Sequence, residues 1–377
     1  MSLFPLINQA ENRRLLNNVI KNKRIANAYL FYGPEGSGSE GFALEFAAML
    51  NCSGKNEKPC GVCQACRQMK SLEHPNIELV FPIPSKDTDS DESPFKQFKE
   101  DEMEEIRQII QNKSRNPYDK INVRKALHIP INFIREIKRN IYLASQAEGQ
   151  KVVIVFDAHL MTEPAANAFL KILEEPPAKS TFILSTSNPA SLLLTIQSRC
   201  QWLYFPPLPE EDLKNYLTEK GYPPENIRLA VRLSGGNVNR LVQLMEHDLQ
   251  TIKDLTLAIF TDIALWKISN IYDHIQKLAA IYREDPETFL QLIQSLLFWI
   301  RDAEMIRNNQ PIDEIIHLDY FERLNNFVRN YPAFDAQNMK VSVENCIDFI
   351  SRNVYINLAL TELFFKLKDQ LNTSVKK

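Results

Sequence analysis

Four of the six cysteines, Cys52, Cys60, Cys63 and Cys66, fall in one short stretch, while Cys200 and Cys346 stand alone. The Cys-x7-Cys-x2-Cys-x2-Cys spacing supplies three thiols from one tight loop and a fourth from the segment before it, a donor set that closes a tetrahedral zinc site. With four thiolates no coordination position is left for water, so the expected zinc is structural rather than catalytic. Clustering of this kind also points to metal in a reducing, cytoplasmic compartment rather than to disulfides.

A second stretch, Gly33-Pro34-Glu35-Gly36-Ser37-Gly38-Ser39-Glu40, stands where a phosphate-cradling GxxxxGK[ST] loop belongs, after an apolar run and before a helical pattern. The glycines Gly33 and Gly38 are in place. Ser39, however, replaces the lysine that reaches the β- and γ-phosphates, and Glu40 replaces the hydroxyl that holds Mg²⁺. The apolar run Val152 to Val155 leads to Phe156-Asp157-Ala158-His159. Aligning His159 with the histidine of a D-E-x-H pattern puts Phe156 in the metal-binding place and Asp157 in that of the water-positioning glutamate. Both halves of an ATP-hydrolysing apparatus are degraded, and no bound ATP is expected.

These residues need elements to hold them. Leu15, Val19 and Ile20 recur at helical spacing among Arg13, Arg14, Lys21, Lys23 and Arg24, which predicts a basic amphipathic first helix. Short apolar runs predict strands at 28–32, 151–156 and 181–186, and helical patterns precede or follow each, with one at 41–50 behind the glycine loop. Strands alternating with helices imply a parallel sheet covered on both faces. Residues 84–105 carry nine acidic and three basic side chains and read as a solvated or partly disordered insertion, with a helix expected over 103–113 until Asn116-Pro117 breaks it. Prolines 206, 207 and 209 mark a boundary, followed by two short helices at 210–220 and 224–233 and then long helical candidates at 286–306 and 338–371.

The segments Ala28 to Pro34, Asp157 to Ala168, Leu170 to Pro177 and Gln197-Ser198-Arg199-Cys200 resemble, in order, the bacterial DNA polymerase III clamp-loader family of AAA+ proteins, as does the four-cysteine module behind the glycine loop. Loss of the phosphate lysine and the metal carboxylate resembles the delta-prime type within it. Asn27, where the family often has histidine, and the acidic insertion are departures. The resemblance implies an α/β AAA+ P-loop-type domain over 1–207, with the zinc module at 51–67 and the insertion at 84–125. It further implies a helical lid over 208–248 and an all-α collar for hetero-oligomerisation over 249–377. It also implies a non-catalytic subunit that helps load a sliding clamp onto primed DNA beside the loader ATPase subunits and the delta subunit. In that role Arg199, in the Ser198-Arg199-Cys200 motif, stabilises the γ-phosphoryl group of ATP held by a neighbour, an effect of about 10³ to 10⁵ in rate. Arg240 resembles the lid arginine of AAA+ proteins, with a salt bridge to the first domain as the alternative.

A formal net charge of −3 argues against a broad basic footprint for strong, independent nucleic-acid binding. No run approaches the roughly 18 apolar residues of a membrane helix, and the first twelve residues lack the pattern of a secretory signal. Two rivals remain. An ATP-binding loader subunit needs Lys at 39 and a carboxylate at 156; a zinc-dependent DNA-binding protein needs a basic module, and Lys55, Lys58, Arg67 and Lys70 are offset by Glu57 and Glu73. Isolated Cys200 is expected to pack, His159 to anchor a strand end, and Trp266 and Trp299 to belong to helix-packing core.

Overall fold

The computed structural model describes residues 2–7, 9–55, 57–84, 93–142, 149–352 and 354–371. They form two compact units, the first Met1–Asp212 with Gly236–Asn239 and the second Leu213–Gly235 with Arg240–Lys377.

The first unit runs α1 (Ala10–Lys21), β1 (Ala28–Tyr32), α2 (Ser39–Asn51), α3 (Gln64–Lys70), β2 (Ile77–Val80), α4 (Glu100–Arg115), α5 (Ile131–Tyr142), β3 (Lys151–Val155), α6 (Glu163–Glu174), β4 (Ser180–Thr186), α7 (Leu194–Gln197) and β5 (Gln201–Tyr204). The strands make one sheet in the order β2-β3-β4-β1-β5, with every pairing parallel. Parallel strands require crossovers, and α-helices supply them here. Every residue of β4 is buried, as expected of a strand covered on both faces. Phe31, Phe46, Ile154, Phe169, Phe182 and Phe205 form the heart of this core. Each such side chain, fully buried, contributes roughly 1.5–3 kcal/mol. Since β1 lies between β4 and β5, the glycine loop after β1 opens beside the ends of β3 and β4, where ligands of open parallel sheets are held.

The acidic insertion is more ordered than its composition suggests. Residues 85–92 lie outside the described residues, but from Ser93 onward the chain is packed. Phe95 meets Phe98 and Phe133 at ring-centroid distances of 6.0 and 5.2 Å. Helix α4 starts at Glu100, earlier than expected, and ends at Arg115 before Asn116. Ile106, Tyr118, Ile121 and Val123 are buried. Apolar side chains scattered among the charges thus offset the cost of ordering that the charge count emphasised.

The second unit is helical: most of α8 (Glu210–Glu219), α9 (Pro224–Ser234), most of α10 (Val238–Gln243), α11 (Leu249–Leu265), α12 (Ile268–Glu284), α13 (Pro286–Arg307), α14 (Phe321–Asn330), α15 (Ala336–Ser351) and α16 (Ile356–Leu371). Helices expected of a lid therefore share a unit with those expected of a collar. The long candidate over 338–371 is two helices, α15 and α16. Trp299 is buried and stacks on Phe260 at 5.7 Å, as helix-packing core should, while Trp266 packs edge-on against Phe365 at 5.0 Å.

Candidate functional site

The glycine loop keeps the backbone of a phosphate cradle. Gly33 passes so close to the backbone carbonyl of Phe205 that a Cβ would sit 2.0 Å from its oxygen, and Gly36 has φ +69° with the Asn237 side chain equally close. Neither position accepts a side chain without moving its neighbours. Helix α2 follows, capped at Gly38.

The protein's own charges fill the cradle. Glu40 pairs with the Nζ of Lys113 on α4, whose side chain is wholly buried and whose ammonium also lies 5.2 Å from the Phe156 ring centroid. Lys120 pairs with Glu35 and lies 3.7 Å from Asp157. Burial works against the Lys120 charge, but Asp157 and Glu35 outweigh it and hold the ammonium pKa above its ordinary value. Burial and the charge of Glu40 push the Asp157 carboxyl up, against the pull of Lys120 and His159. Asn239 donates its side-chain amide to the Tyr118 carbonyl, and both residues line the same cleft. The remaining cavity is about 30 Å³, against roughly 300–1,000 Å³ for a small-molecule site. Ser39, at the start of α2, is buried and offers no cation. His159 anchors a strand end as expected, its Nδ1 3.0 Å from Thr186 Oγ1.

Lys113 and Lys120 were beyond sequence reasoning. A carboxylate at the start of the mostly apolar α2 needs a partner, yet that partner comes from a segment 73 residues away.

Arg199 lies between α7 and β5, outside this cleft. Its guanidinium donates to Glu174 Oε1 at 3.0 Å and to the Thr195 carbonyl at 2.9 Å. Both partners of the ion pair are exposed, 37% for Arg199 and 46% for Glu174, so the pair is worth at most about 1 kcal/mol and exchanges readily for another anion. Ser198 turns its hydroxyl back to the Thr195 carbonyl at 3.1 Å. Burial pushes the Cys200 thiol up to about 12, consistent with a packing residue rather than a reactive one. Arg240 finds a partner on α13. Its guanidinium lies 3.4 Å from Glu287 in the first turn of α13. Helix-to-helix packing within the second unit, which spacing cannot reveal, supplies the partner.

The four cysteines come together with all Sγ atoms within 4.8 Å of one another. A tetrahedron of roughly 2.3 Å Zn–S bonds needs sulfurs about 3.8 Å apart, and Cys60 and Cys66 are at 4.0 Å. Backbone N–H groups already point at the sulfurs: Gly54 and Cys60 donate to Cys52, both at 3.3 Å, and Cys66 donates to Cys63 at 3.4 Å. Such donors stabilise thiolates, the form that binds metal. Gly54 is confined between Cys60 and Cys52, where a Cβ would lie 2.8 Å from Cys60 Cβ. The cluster is placed to bind a metal ion, and an all-sulfur donor set fits zinc.

The sequence model of the family described as "DNA polymerase III, delta subunit" matches residues 8–209. DNA polymerase III subunit delta' of Bacillus subtilis (strain 168) is 25% identical over 357 residues, covering 94% of this chain and 95% of that protein. The subunit delta' of Escherichia coli (strain K12) is 28% identical over 224 residues, 59% of this chain and 55% of that protein. DNA polymerase III subunit tau of Bacillus subtilis (strain 168) is 23% identical over 336 residues, 82% of this chain but 51% of the relative.

Proposed function

We propose, from the premise that the chain belongs to the DNA polymerase III delta-subunit family and is of its delta-prime type, that it serves a replicative clamp loader without hydrolysing ATP itself. The observation that carries this reading is the filled cradle: Glu40 is committed to Lys113, Lys120 to Glu35, and about 30 Å³ is left where a triphosphate would lie. Three carboxylates, Glu35, Glu40 and Asp157, line the cleft, and they repel a polyphosphate. In this reading the chain's contribution to catalysis is Arg199, whose exposed and weakly held guanidinium completes the ATP site of a neighbouring loader ATPase subunit. Lid (208–248) and collar (249–377) complete the protomer in a hetero-oligomer with the ATPase and delta subunits, acting on sliding clamp and primed DNA in the cytoplasm. Among the described residues no helix is long and apolar enough to cross a membrane. Zinc held by Cys52, Cys60, Cys63 and Cys66 staples the module between α2 and α3.

Arg199→Ala in the assembled complex tests the central claim. The variant gives up a solvent-exposed ion pair and is expected to assemble normally, while hydrolysis at the adjoining site falls by about 10³-fold or more. Unchanged clamp-stimulated hydrolysis in a complex shown to contain the variant would remove Arg199 from that role. Calorimetric titration of the chain with ATP and Mg²⁺ is expected to show no binding at millimolar nucleotide. Micromolar binding would favour the rival reading of an ATP-binding loader subunit.

A further inference from the structure

A cleft of about 660 Å³ runs between α1 and the loop from Cys52 to Cys60. Its charged lining is Arg13, Lys21, Lys23, Lys55 and Lys58 against the single carboxylate of Glu57. Arg13 is committed to Glu45 at 3.1 Å. None of the four lysines has an ion-pair partner among the described residues. A chain of net charge −3 thus gathers four unneutralised ammonium groups around one cleft, where their mutual repulsion is relieved by a polyanion.

We propose that this cleft binds the sugar-phosphate backbone of a nucleic acid without regard to base sequence. Charge is what it offers. No strand lines it, so it has no main-chain ladder to extend into a bound peptide. Its apolar side chains are two, Ile20, half-buried, and Met49, 2% exposed, beside five cationic ones, so charge rather than a hydrophobic anchor dominates what it offers a ligand. No aromatic ring lines it, so bases have no stacking platform. Lysines acting as point charges suit phosphate oxygens approached from varied angles. The four-cysteine cluster acquires a purpose here, since it closes the loop that holds Lys55 and Lys58 across from Lys21 and Lys23. The inference is separate from the role given to Arg199 and survives its failure.

The test is fluorescence anisotropy of the full chain with a labelled duplex of about 20 base pairs, at salt between about 50 and 200 mM. Four phosphate contacts give a slope of log K against log salt of about −3.6, so affinity falls about 150-fold over that range. The pair Lys21→Gln and Lys55→Gln, both at exposed positions, is expected to fold and to halve the slope to about −1.8. An equal charge loss elsewhere, Lys171→Gln with Lys277→Gln, is expected to leave the slope unchanged. Absence of binding at 50 mM salt, an unaltered slope in the cleft variant, or an equal fall in the control would overturn the proposal. Displacement of the duplex by poly-glutamate at matched charge would also overturn it, in favour of an acidic protein partner.

Discussion

Replacing Lys113 by methionine isolates the charge that fills the degenerate cradle. The Lys113 side chain is wholly buried and its partner Glu40 is 17% exposed. Removing one member of a buried pair typically costs about 3–5 kcal/mol because the other charge is left uncompensated. The residual exposure of Glu40 places the expected cost near the lower end, about 3 kcal/mol. Methionine retains the stem and keeps a favourable contact with the Phe156 ring, so the loss reports the charge rather than a cavity. Native-state hydrogen exchange followed by mass spectrometry suits a chain of two compact units, where a single melting point mixes events. At about 1.4 kcal/mol per factor of ten, peptides from α2 and α4 are expected to exchange about 100-fold faster. Combining Lys113→Met with Glu40→Gln removes both charges and is expected to return protection to within about 1 kcal/mol of the wild type. If the single variant changes exchange by less than about five-fold, or the double variant is as weak as the sum of the two singles, the pair does not hold the cradle closed.

Cys63→Ser is expected to lower bound zinc from about one ion per chain to near zero by elemental analysis. Exchange protection should fall in α3 while β1, β3 and β4 stay protected, and retained metal at full stoichiometry would argue against a four-thiolate site. At the start of α13, the Thr288 hydroxyl, aided by the N–H groups of Thr288 and Glu287, holds the Asp285 carboxyl below its ordinary pKa. A depressed carboxylate stabilises the fold fully above the unfolded-state value of about 3.9 and loses that contribution as pH falls through the folded-state value. Asp285→Ala should therefore cost about 1 kcal/mol at neutral pH, and the gap between variant and wild-type melts should close on acidification. A gap independent of pH would refute the cap.

The parallel sheet was legible wherever a strand was apolar throughout: β1, β3 and β4 stand where runs such as Val152 to Val155 predict them. Strands β2 and β5 escaped notice because each is only four residues long. β5 is an edge strand whose side chains are mostly exposed, so it lacks the continuous apolar signature of a buried strand. The break between α15 and α16 carries neither glycine nor proline, the strongest local punctuation. For the candidate site, residues close in sequence were readable and residues brought from afar were not. Cysteine spacing predicted a cluster that the fold assembles. Nothing in the spacing of Lys113, Lys120 or Glu287 discloses the partner that each finds.

Glycines and charges in the loop after β1 carry different information, and their separation explains how the glycine spacing of a nucleotide motif stands beside charges that the motif does not call for. Gly33 is fixed by the passing carbonyl of Phe205, and Gly36 by the side chain of Asn237. These contacts lie within the protein and make no reference to a phosphate, so packing alone suffices to retain both glycines. At positions 39 and 40 it is the side chains that differ from the nucleotide motif. Once a lysine and a hydroxyl are absent there, an acidic residue is tolerated if an internal cation answers it, as Lys113 answers Glu40. Glycine spacing therefore reports the turn that the fold requires. Whether that turn holds a nucleotide is decided by the sign and commitment of the charges beside it, and here those charges are already spent on one another.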